Sequence, residues 1–297
     1  MKKLIFNLKQ FLYANETIMG MNRRNIEYVK ELNKRRDFPL ADDKILAKEF
    51  FTKIGIPTAE TIKIIDGLYE VTDFHNKFEP TDFVIKPSCG SQGKGIIIVI
   101  DKTVNGYVKP SGTLISTEEM EYELASILFG KYSLGRSDRI LIEKRLVPVD
   151  EFKDLSVNGL FDIRIIVVKS IPVAVMLRLP TMGSGGKANL HQGGIGAGVD
   201  IVSGKTISAV RRGSSLLLHP DTQAPLIGFQ VPYWSEILQI TKHIGKHSPL
   251  GYIGVDLTID KQIGPAVLEF NARPGLGIQS ANQKGLQTLL KEAIEHE

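Results

Sequence analysis

The stretch that decides the fold is Phe83–Ile100, FVIKPSCGSQGKGIIIVI, in which two apolar runs flank a loop rich in glycine. The first run predicts a strand ending at Lys86-Pro87, and Ile96–Ile100 predicts a second strand. Backbone N–H groups in such a loop converge on an anion, and Lys94 adds full charge. The spacing lacks the serine or threonine of a P-loop, and no helix follows it. The pattern therefore predicts a hairpin loop over phosphates or an ordinary flexible hairpin.

Lys86 favours the first of these alternatives. A lysine inside a predicted strand points to one face of a sheet, where an unpaired ammonium group is costly unless it meets an anion. We therefore expect Lys86 to face an anionic group.

A second hairpin, Gly254–Gly275, carries acidic and amide side chains at defined positions. Two strands joined by a turn place Asp256 beside Glu269, and Glu269 and Asn271, two residues apart, share a face. Two carboxylates and an amide are oxygen donors of the kind that Mg²⁺ prefers. The alternative is a surface charged pair with Asn271 at the start of a turn. Apolar neighbours on both strands favour the metal site.

The composition is typical of an ordinary globular protein, since the chain has 297 residues, of which 42% are hydrophobic and 24% charged. The longest apolar runs are far too short to span a membrane. The first five residues resemble a signal peptide, but Lys9 and Gln10 interrupt the apolar stretch and no cleavage site follows. We therefore expect a cytoplasmic protein. The single cysteine, Cys89, excludes an internal disulfide and a cysteine-based zinc site.

The formal net charge of +4 is unevenly distributed, since residues 1–36 hold nine Lys or Arg and three acids. This basic segment would suit an anionic lipid, RNA or an acidic partner, or it is simply a solvated helix face. Its apolar stripe, Leu4, Ile5, Leu8, Phe11 and Leu12, has helical spacing and is expected to pack on the protein's own core.

Antiparallel hairpins and separate helices predict an α+β protein with two lobes. We expect a helical extension over 1–36, an N-terminal lobe over 37–146 and a C-terminal lobe over 147–297. Predicted helices include 40–56, capped by Asp42 or Asp43, 117–129, 235–247 and 285–296. The segment 181–198, TMGSGGKANLHQGGIGAG, is interpreted as too glycine-rich for a core element.

Five motifs, in order, resemble the ATP-grasp carboxylate–amine ligases, and most closely the branch of the ribosomal-protein glutamate ligase and other alpha-L-glutamate ligase-like proteins. They are DKILAKEFFTKIGIPTAET, FVIKPSCGSQGKGI, ILIEKRLVPVDEF, FDIRIIVV with MLRLP and KANLHQGG, and DLTIDKQIGPAVLEFNARPG. The resemblance runs from about Asp43 to Ala281. It implies the ATP-grasp fold, with a nucleotide held between two antiparallel sheets.

The resemblance also assigns roles to residues. Phosphate ligands would be Lys44, Lys86 and the loop residues Gly90, Ser91, Gly93, Lys94 and Gly95. The adenine would contact Glu143 and the backbone of Lys144 to Leu146, and the ribose Asp150 or Glu151. Arg164, Arg178, Lys187, Asn189 and His191 would surround the phosphates and the acyl group, and Asp256, Glu269 and Asn271 would bind the metal. His191 is a candidate general base or an incidental loop histidine.

The implied activity is ATP-dependent amide or peptide bond formation through an acyl phosphate, with ATP and Mg²⁺ (two ions, replaceable by Mn²⁺) as cofactors. The substrates would be an amino acid and a carboxylate-bearing peptide or small molecule, and such proteins are frequently oligomeric. The alternatives are a phosphotransferase of the same fold and a non-catalytic nucleotide-binding partner protein.

Two features depart from that family. Only 43 residues precede Lys44, where the family has a complete small domain, so the substrate pocket is expected to differ. Arg273 stands where the glutamate-ligase branch often has a small residue. Its guanidinium would either hold a substrate carboxylate or form a structural ion pair.

Overall fold

The computed structural model describes residues 16–90 and 93–295, with side chains up to residue 293. The described helices are α1 Met21–Arg23, α2 Pro39–Asp42, α3 Lys44–Lys53, α4 Phe74–Lys77, α5 Thr117–Leu128, α6 Trp234–His247, α7 Gly277–Asn282 and α8 Leu286–Glu295. The strands are β1 Thr61–Ile65, β2 Phe83–Pro87, β3 Ile97–Val99, β4 Asp101–Thr103, β5 Gly106–Val108, β6 Leu114–Ser116, β7 Ile140–Glu143, β8 Asp162–Val168, β9 Ile171–Leu179, β10 Ile195–Val199, β11 Thr206–Arg211, β12 Ser214–Ser215, β13 Tyr252–Asp260 and β14 Gly264–Asn271.

The glycine-loop stretch folds as the predicted hairpin. Strands β2 and β3 pair antiparallel, with Phe83 opposite Val99, inside a four-stranded sheet of order β1-β7-β2-β3. Phe83 and Ile85 are fully buried in the core beneath one face, together with Met120 and Leu124 of α5. Because side chains alternate along a strand, Lys86 lies on the opposite face.

A larger sheet has seven antiparallel strands in the order β12-β11-β10-β9-β8-β13-β14. One face packs against α6 and α3 through residues such as Ile165, Leu177 and Val255, all fully or almost fully buried. On the other face, Met176 and Tyr252 pack in a smaller core that includes residues of α7 and α8. A third sheet, β4-β5-β6, completes the described strands.

One prediction about the glycine-rich segment is wrong, because its last residues form β10, a fully buried strand in the middle of the large sheet. The glycines are needed there for close packing. A Cβ on Gly198 would lie 2.7 Å from the Ala281 carbonyl oxygen in α7, and one on Gly196 would lie 2.8 Å from the Leu190 side chain. The rest of the segment forms turns and two short 3₁₀ helices.

The predicted helix at 40–56 is interrupted. Asp43 has an extended backbone and separates α2 from α3, and its carboxylate accepts hydrogen bonds from the N–H groups of Ile45 (2.8 Å) and Leu46 (3.3 Å). It is therefore the N-cap, as one of the two predicted alternatives had it.

The basic segment is helical from Met21 onward, with a π-helical stretch over Arg24–Lys30. Its apolar stripe at residues 4–12 lies outside the described residues. Within 16–90 and 93–295, none of the helices combines the length and the apolar character that crossing a membrane requires.

Candidate active site

The first cluster of charged residues lies on the four-stranded sheet, on the face opposite the core that includes α5. The carboxylate of Glu143 on β7 forms ion pairs with the ammonium groups of Lys86 on β2 and Lys48 on α3. Glu143 is 4% exposed, and Lys48 also donates to the Ala59 carbonyl oxygen. Lys86 therefore meets an anion, as its position in the strand predicted, and that anion belongs to the protein.

Burial acts to raise the pKa of Glu143, but Lys86 and Lys48 outweigh it and hold the pKa below its ordinary value. For Lys48 the balance is the reverse: burial lowers its pKa, Glu143 opposes this, and the nearby Lys86 adds to the lowering. The balance between charge and burial differs because two cations stabilise the Glu143 carboxylate, whereas Lys48 has one carboxylate partner and is repelled by Lys86. The cluster thus carries a net positive charge that suits a further anion.

Lys44 begins α3, and its ammonium group donates to the carbonyl oxygen of Gly90, where the glycine loop starts. Asp43 fixes this helix end, because its carboxylate also accepts from Ser88 and from Arg139 (2.8 Å). Burial acts to raise the pKa of Asp43, yet these hydrogen bonds lower it. Asp43 therefore anchors Lys44 beside the loop.

Of the other loop residues, Ser91 lies outside the described residues, and Lys94 is exposed. Gly93 (φ +69°) and Gly95 (φ +74°) have left-handed backbone conformations. A Cβ on Gly95 would lie 2.5 Å from the Tyr132 ring, whereas one on Gly93 would meet nothing within 4 Å in the part of the chain that the structure describes.

The residues predicted to contact adenine and ribose follow β7 along the chain. Lys144 is exposed, donates its backbone N–H to the Glu60 carbonyl oxygen (2.9 Å) and its ammonium to Gln262 (3.2 Å). Leu146 is half-buried, and Asp150 is exposed and paired with Lys261. This segment thus runs from the four-stranded sheet towards β13 and β14.

The second cluster lies on the large sheet. Arg164 on β8 binds both carboxylate oxygens of Asp256, with one contact at 2.7 Å, and Arg178 on β9 donates to the same carboxylate at 2.7 Å. Arg178 also pairs with Asp162. Register explains the arrangement, since Asp256 lies opposite Arg164 and Asp162 lies opposite Arg178.

The pKa values of Asp256, Asp162 and Arg178 are shifted by burial and by the neighbouring charges. Burial acts to raise the pKa of Asp256, but Arg164 and Arg178 hold it below the ordinary value. Asp162 is buried beside the negative charge of Asp256, and its pKa is raised to about 6, mainly by burial. Burial acts to lower the pKa of Arg178, but Asp162 and Asp256 outweigh it and raise the pKa, so the guanidinium stays charged.

Glu269 lies directly opposite Asp256, as the hairpin predicted, and Asn271 lies opposite Gly254. The Nδ2 atom of Asn271 is buried and makes no hydrogen bond within the described part of the chain. Among those same residues, no three His, Cys, Asp or Glu side chains form a metal-binding group. The predicted set of two carboxylates and an amide oxygen nevertheless has the donor chemistry of a Mg²⁺ site.

Within the described part of the chain, no hydrogen bond or ion pair joins the remaining predicted residues to these clusters. Lys187 and His191 are exposed, and the Asn189 side chain accepts from the His191 N–H at 3.1 Å at the start of a 3₁₀ turn. Arg273 pairs with Asp42 at 3.3 Å, and its guanidinium lies 4.8 Å from the centre of the Phe38 ring. Of its two alternatives, these contacts correspond to the structural ion pair.

Sequence reasoning missed Lys48 and Asp162. Lys48 is four residues after Lys44, so both share one face of α3, which was a readable signal. Asp162 is two residues before Arg164 and therefore shares its face of β8, a second such signal.

The fold and these two clusters define an ATP-grasp protein. The chain belongs to the sugar-transfer associated ATP-grasp family, whose match covers residues 23–295. This confirms the α+β ATP-grasp fold expected from the motifs, whereas the glutamate-ligase branch is a finer assignment that the match does not address. No curated protein is a significant match to the sequence.

Similar solved structures include phosphoribosylamine–glycine ligase from Thermotoga maritima, at 16% identity over 87% of this chain and 55% of that one, with a TM-score of 0.47. The ATP-grasp ligase PsnB, complexed with a minimal precursor, has 12% identity over 89% and 62%, also at 0.47. Campylobacter jejuni biotin carboxylase has 14% identity over 86% and 46%, at 0.49. The chain thus spans between about half and three fifths of each neighbour's length.

Proposed function

We propose that the protein is an ATP-dependent carboxylate–amine ligase that forms an amide or peptide bond through an acyl phosphate. The observation that carries the proposal is the pair of arginines, part-buried Arg164 and buried Arg178, around Asp256 on a sheet whose next strand presents Glu269. Membership of an ATP-grasp family supplies the nucleotide chemistry for this arrangement.

In the first step, a carboxylate oxygen of the substrate attacks the γ-phosphorus of ATP, and ADP leaves. In the second, an amine attacks the acyl carbon, inorganic phosphate leaves and the amine loses a proton. Both steps gather negative charge, so fixed cations stabilise them. Lys44, Lys86 and the glycine-loop N–H groups hold the phosphates, while Arg164 and Arg178 face the acyl phosphate. Mg²⁺ held by Asp256, Glu269 and Asn271 would neutralise phosphate charge.

Finer parts of the proposal rest on the motif resemblance. Glutamate or another amino acid is the proposed amine substrate, with Glu143 to Leu146 at the adenine and Asp150 at the ribose. The proposal also includes two lobes, over 37–146 and 147–297, a cytoplasmic location and an oligomeric state. The family description, sugar-transfer associated, adds sugar-derived carboxylates to the substrates worth testing.

A panel of amino acids with peptide and sugar-derived carboxylates, assayed by ADP release and product mass, tests the proposal. With hydroxylamine as the nucleophile, we expect a hydroxamate, because an acyl phosphate reacts with it. Phosphorylated product without hydroxamate would instead establish a phosphotransferase, and no ADP across the panel would favour a non-catalytic nucleotide-binding protein.

The variants Asp256→Asn and Glu269→Gln test the metal assignment in that assay. Each is expected to lower ADP release about a hundredfold or more, because each removes a charge from the reacting centre. Glu292→Gln is a control, since Glu292 pairs with Lys284 on the surface. Undiminished turnover in either metal-site variant would remove the assignment.

A further inference from the structure

A cavity of about 520 Å³ lies on the large sheet, lined by residues of β11, α7 and the turn at 190–192. We call it the Arg212 cavity, and its lining includes Leu190, His191, Val210, Arg212, Ser280 and Gln283. Its volume falls within the range of small-molecule pockets.

Strand register connects this cavity with Arg178. Gly196 on β10 lies directly opposite both Arg178 on β9 and Val210 on β11. Directly opposite residues point to the same face of a sheet, so Arg178 and the cavity share one face, two strands or about 10 Å apart. The cavity therefore opens on the face of the sheet that carries Arg178, and the Leu190 side chain packs on Gly196 between the two.

Arg212 supplies the cavity's positive charge. Its Nη2 atom would lie 3.4 Å from a Cβ on Gly193, so the guanidinium folds back over the turn that follows His191. The neighbouring Arg211 serves the fold, because it donates to the Gly193 carbonyl oxygen at 2.9 Å. No acidic partner of Arg212 is found among the described residues, and no hydrogen bond from its guanidinium.

The backbone at Arg212 is also unfavourable for an arginine. Arg212 (φ +50°) and Gly213 (φ +82°) form the two-residue turn between β11 and β12. Such turns favour asparagine or glycine at the first position, because a larger side chain is strained there. An arginine at this position costs some backbone strain, and its exposed guanidinium has no ion pair among the described residues.

We propose that the Arg212 cavity binds the second substrate of the ligase, a small molecule with a carboxylate held by Arg212 and a body that hydrogen-bonds to its neighbours. Ser280 and Gln283 provide a hydroxyl and an amide, and His191 a ring nitrogen, whereas Leu190 and Val210 form the apolar floor. A sugar acid and a short acidic peptide share this chemistry. The inference rests on the proposed ligase function, since that function requires a second substrate near Arg178.

The test is a binding titration without nucleotide, using D-glucuronate and L-alanyl-L-glutamate as probes and D-glucose as the neutral reference. We expect one of the two anions to bind the wild-type protein and glucose not to bind. In Arg212→Asn, affinity should fall about tenfold or more because a charge-assisted contact is lost. Asparagine tolerates the left-handed backbone, so this variant should be at least as stable as the wild type.

The matched control is Lys169→Asn. Lys169 (φ +48°) and Ser170 (φ +79°) form the two-residue turn between β8 and β9, so a cation occupies the same turn position outside the cavity. Lys169→Asn should bind the anion as the wild type does. Binding of neither probe, or equal binding by Arg212→Asn, would overturn the proposal. A parallel titration with MgADP separates this outcome from failure of the proposed function, which would appear as absent nucleotide binding.

Discussion

At the scale of single residues, the carboxylate of Glu143 holds the ammonium groups of Lys48 and Lys86 in place. Glu143 is buried between Lys48 and Lys86, whose side chains are only 13% and 15% exposed. Removing one member of such a buried group leaves uncompensated charge, which costs far more than the pair itself contributes. The cluster is therefore sensitive to the loss of Glu143.

We predict that Glu143→Gln lowers the free energy of unfolding by about 3 kcal/mol or more at neutral pH, because two half-buried ammonium groups lose their shared partner. The folded state lowers the pKa of Glu143 below its ordinary value of 4.5, so its contribution is present above that pH and is lost as pH falls through the folded value. Urea unfolding at a series of pH values from about 3 to about 7 measures the stability loss at neutral pH and its decrease towards acid pH.

Glu123→Gln is the control, since Glu123 pairs with Lys131 on the surface and should change stability by about 1 kcal/mol or less. If Glu143→Gln were as stable as this control, or if its deficit did not shrink towards acid pH, the shared-carboxylate account would be wrong.

The sequence predicted part of this residue-scale picture. An ammonium inside a strand requires an anion, so the need of Lys86 for a partner was readable, but the partner Glu143 lies 57 positions further along the chain on β7. Likewise, the Asp256–Glu269 pairing followed from hairpin geometry. The contacts of Asp256 with two arginines could not be predicted in this way. They depend on the register of β8, β9 and β13, which local sequence patterns leave open.

At the scale of elements, the glycine loop between β2 and β3 combines a free portion with an anchored end. Gly93 and Gly95 both have left-handed backbone, but only Gly95 lies against other groups, namely Tyr132 and Pro87. Gly95 therefore joins the loop to the segment after α5, whereas a Cβ on Gly93 would meet no atom of the described residues within 4 Å.

This difference predicts unequal effects of alanine. Gly93→Ala should cost about 1–2 kcal/mol of backbone strain in the loop. Gly95→Ala should cost more, because its methyl group also collides with the Tyr132 ring, 2.5 Å away, and the collision should lower nucleotide affinity by shifting the loop. Thermal unfolding and a nucleotide titration measure the two effects, and equal results for both variants would contradict the anchored arrangement.

Element prediction succeeded where periodicity is strong and failed at β10. Apolar strand patterns identified β2, β13 and β14, and their hairpin pairings are confirmed. In β10, glycines replaced the side chains that mark a strand, because α7 and Leu190 press directly on the backbone. Where close packing leaves no room for a side chain, a strand is rich in glycine. The same pattern is also typical of a loop.

At the scale of the whole molecule, α3 links the two sheets. Its charged side reaches Glu143 through Lys48, while Phe51 packs edge-on against Phe270 of β14, with ring centres 5.2 Å apart. Phe51 and Ala47 belong to the core of the large sheet. Helix α3 therefore contacts both sheets. The boundary between the proposed lobes at 146/147 stays a prediction.

The central claim is that the protein binds MgATP through Lys86 and the metal-site hairpin. Isothermal titration with a non-hydrolysable ATP analogue, with Mg²⁺ and then with EDTA, tests it on the wild type, Lys86→Met and the surface control Lys131→Met. We expect binding that weakens about tenfold or more on removing Mg²⁺ or the Lys86 charge, and stays unchanged in the control. Absent binding, or binding indifferent to both Mg²⁺ and Lys86, would contradict the claim.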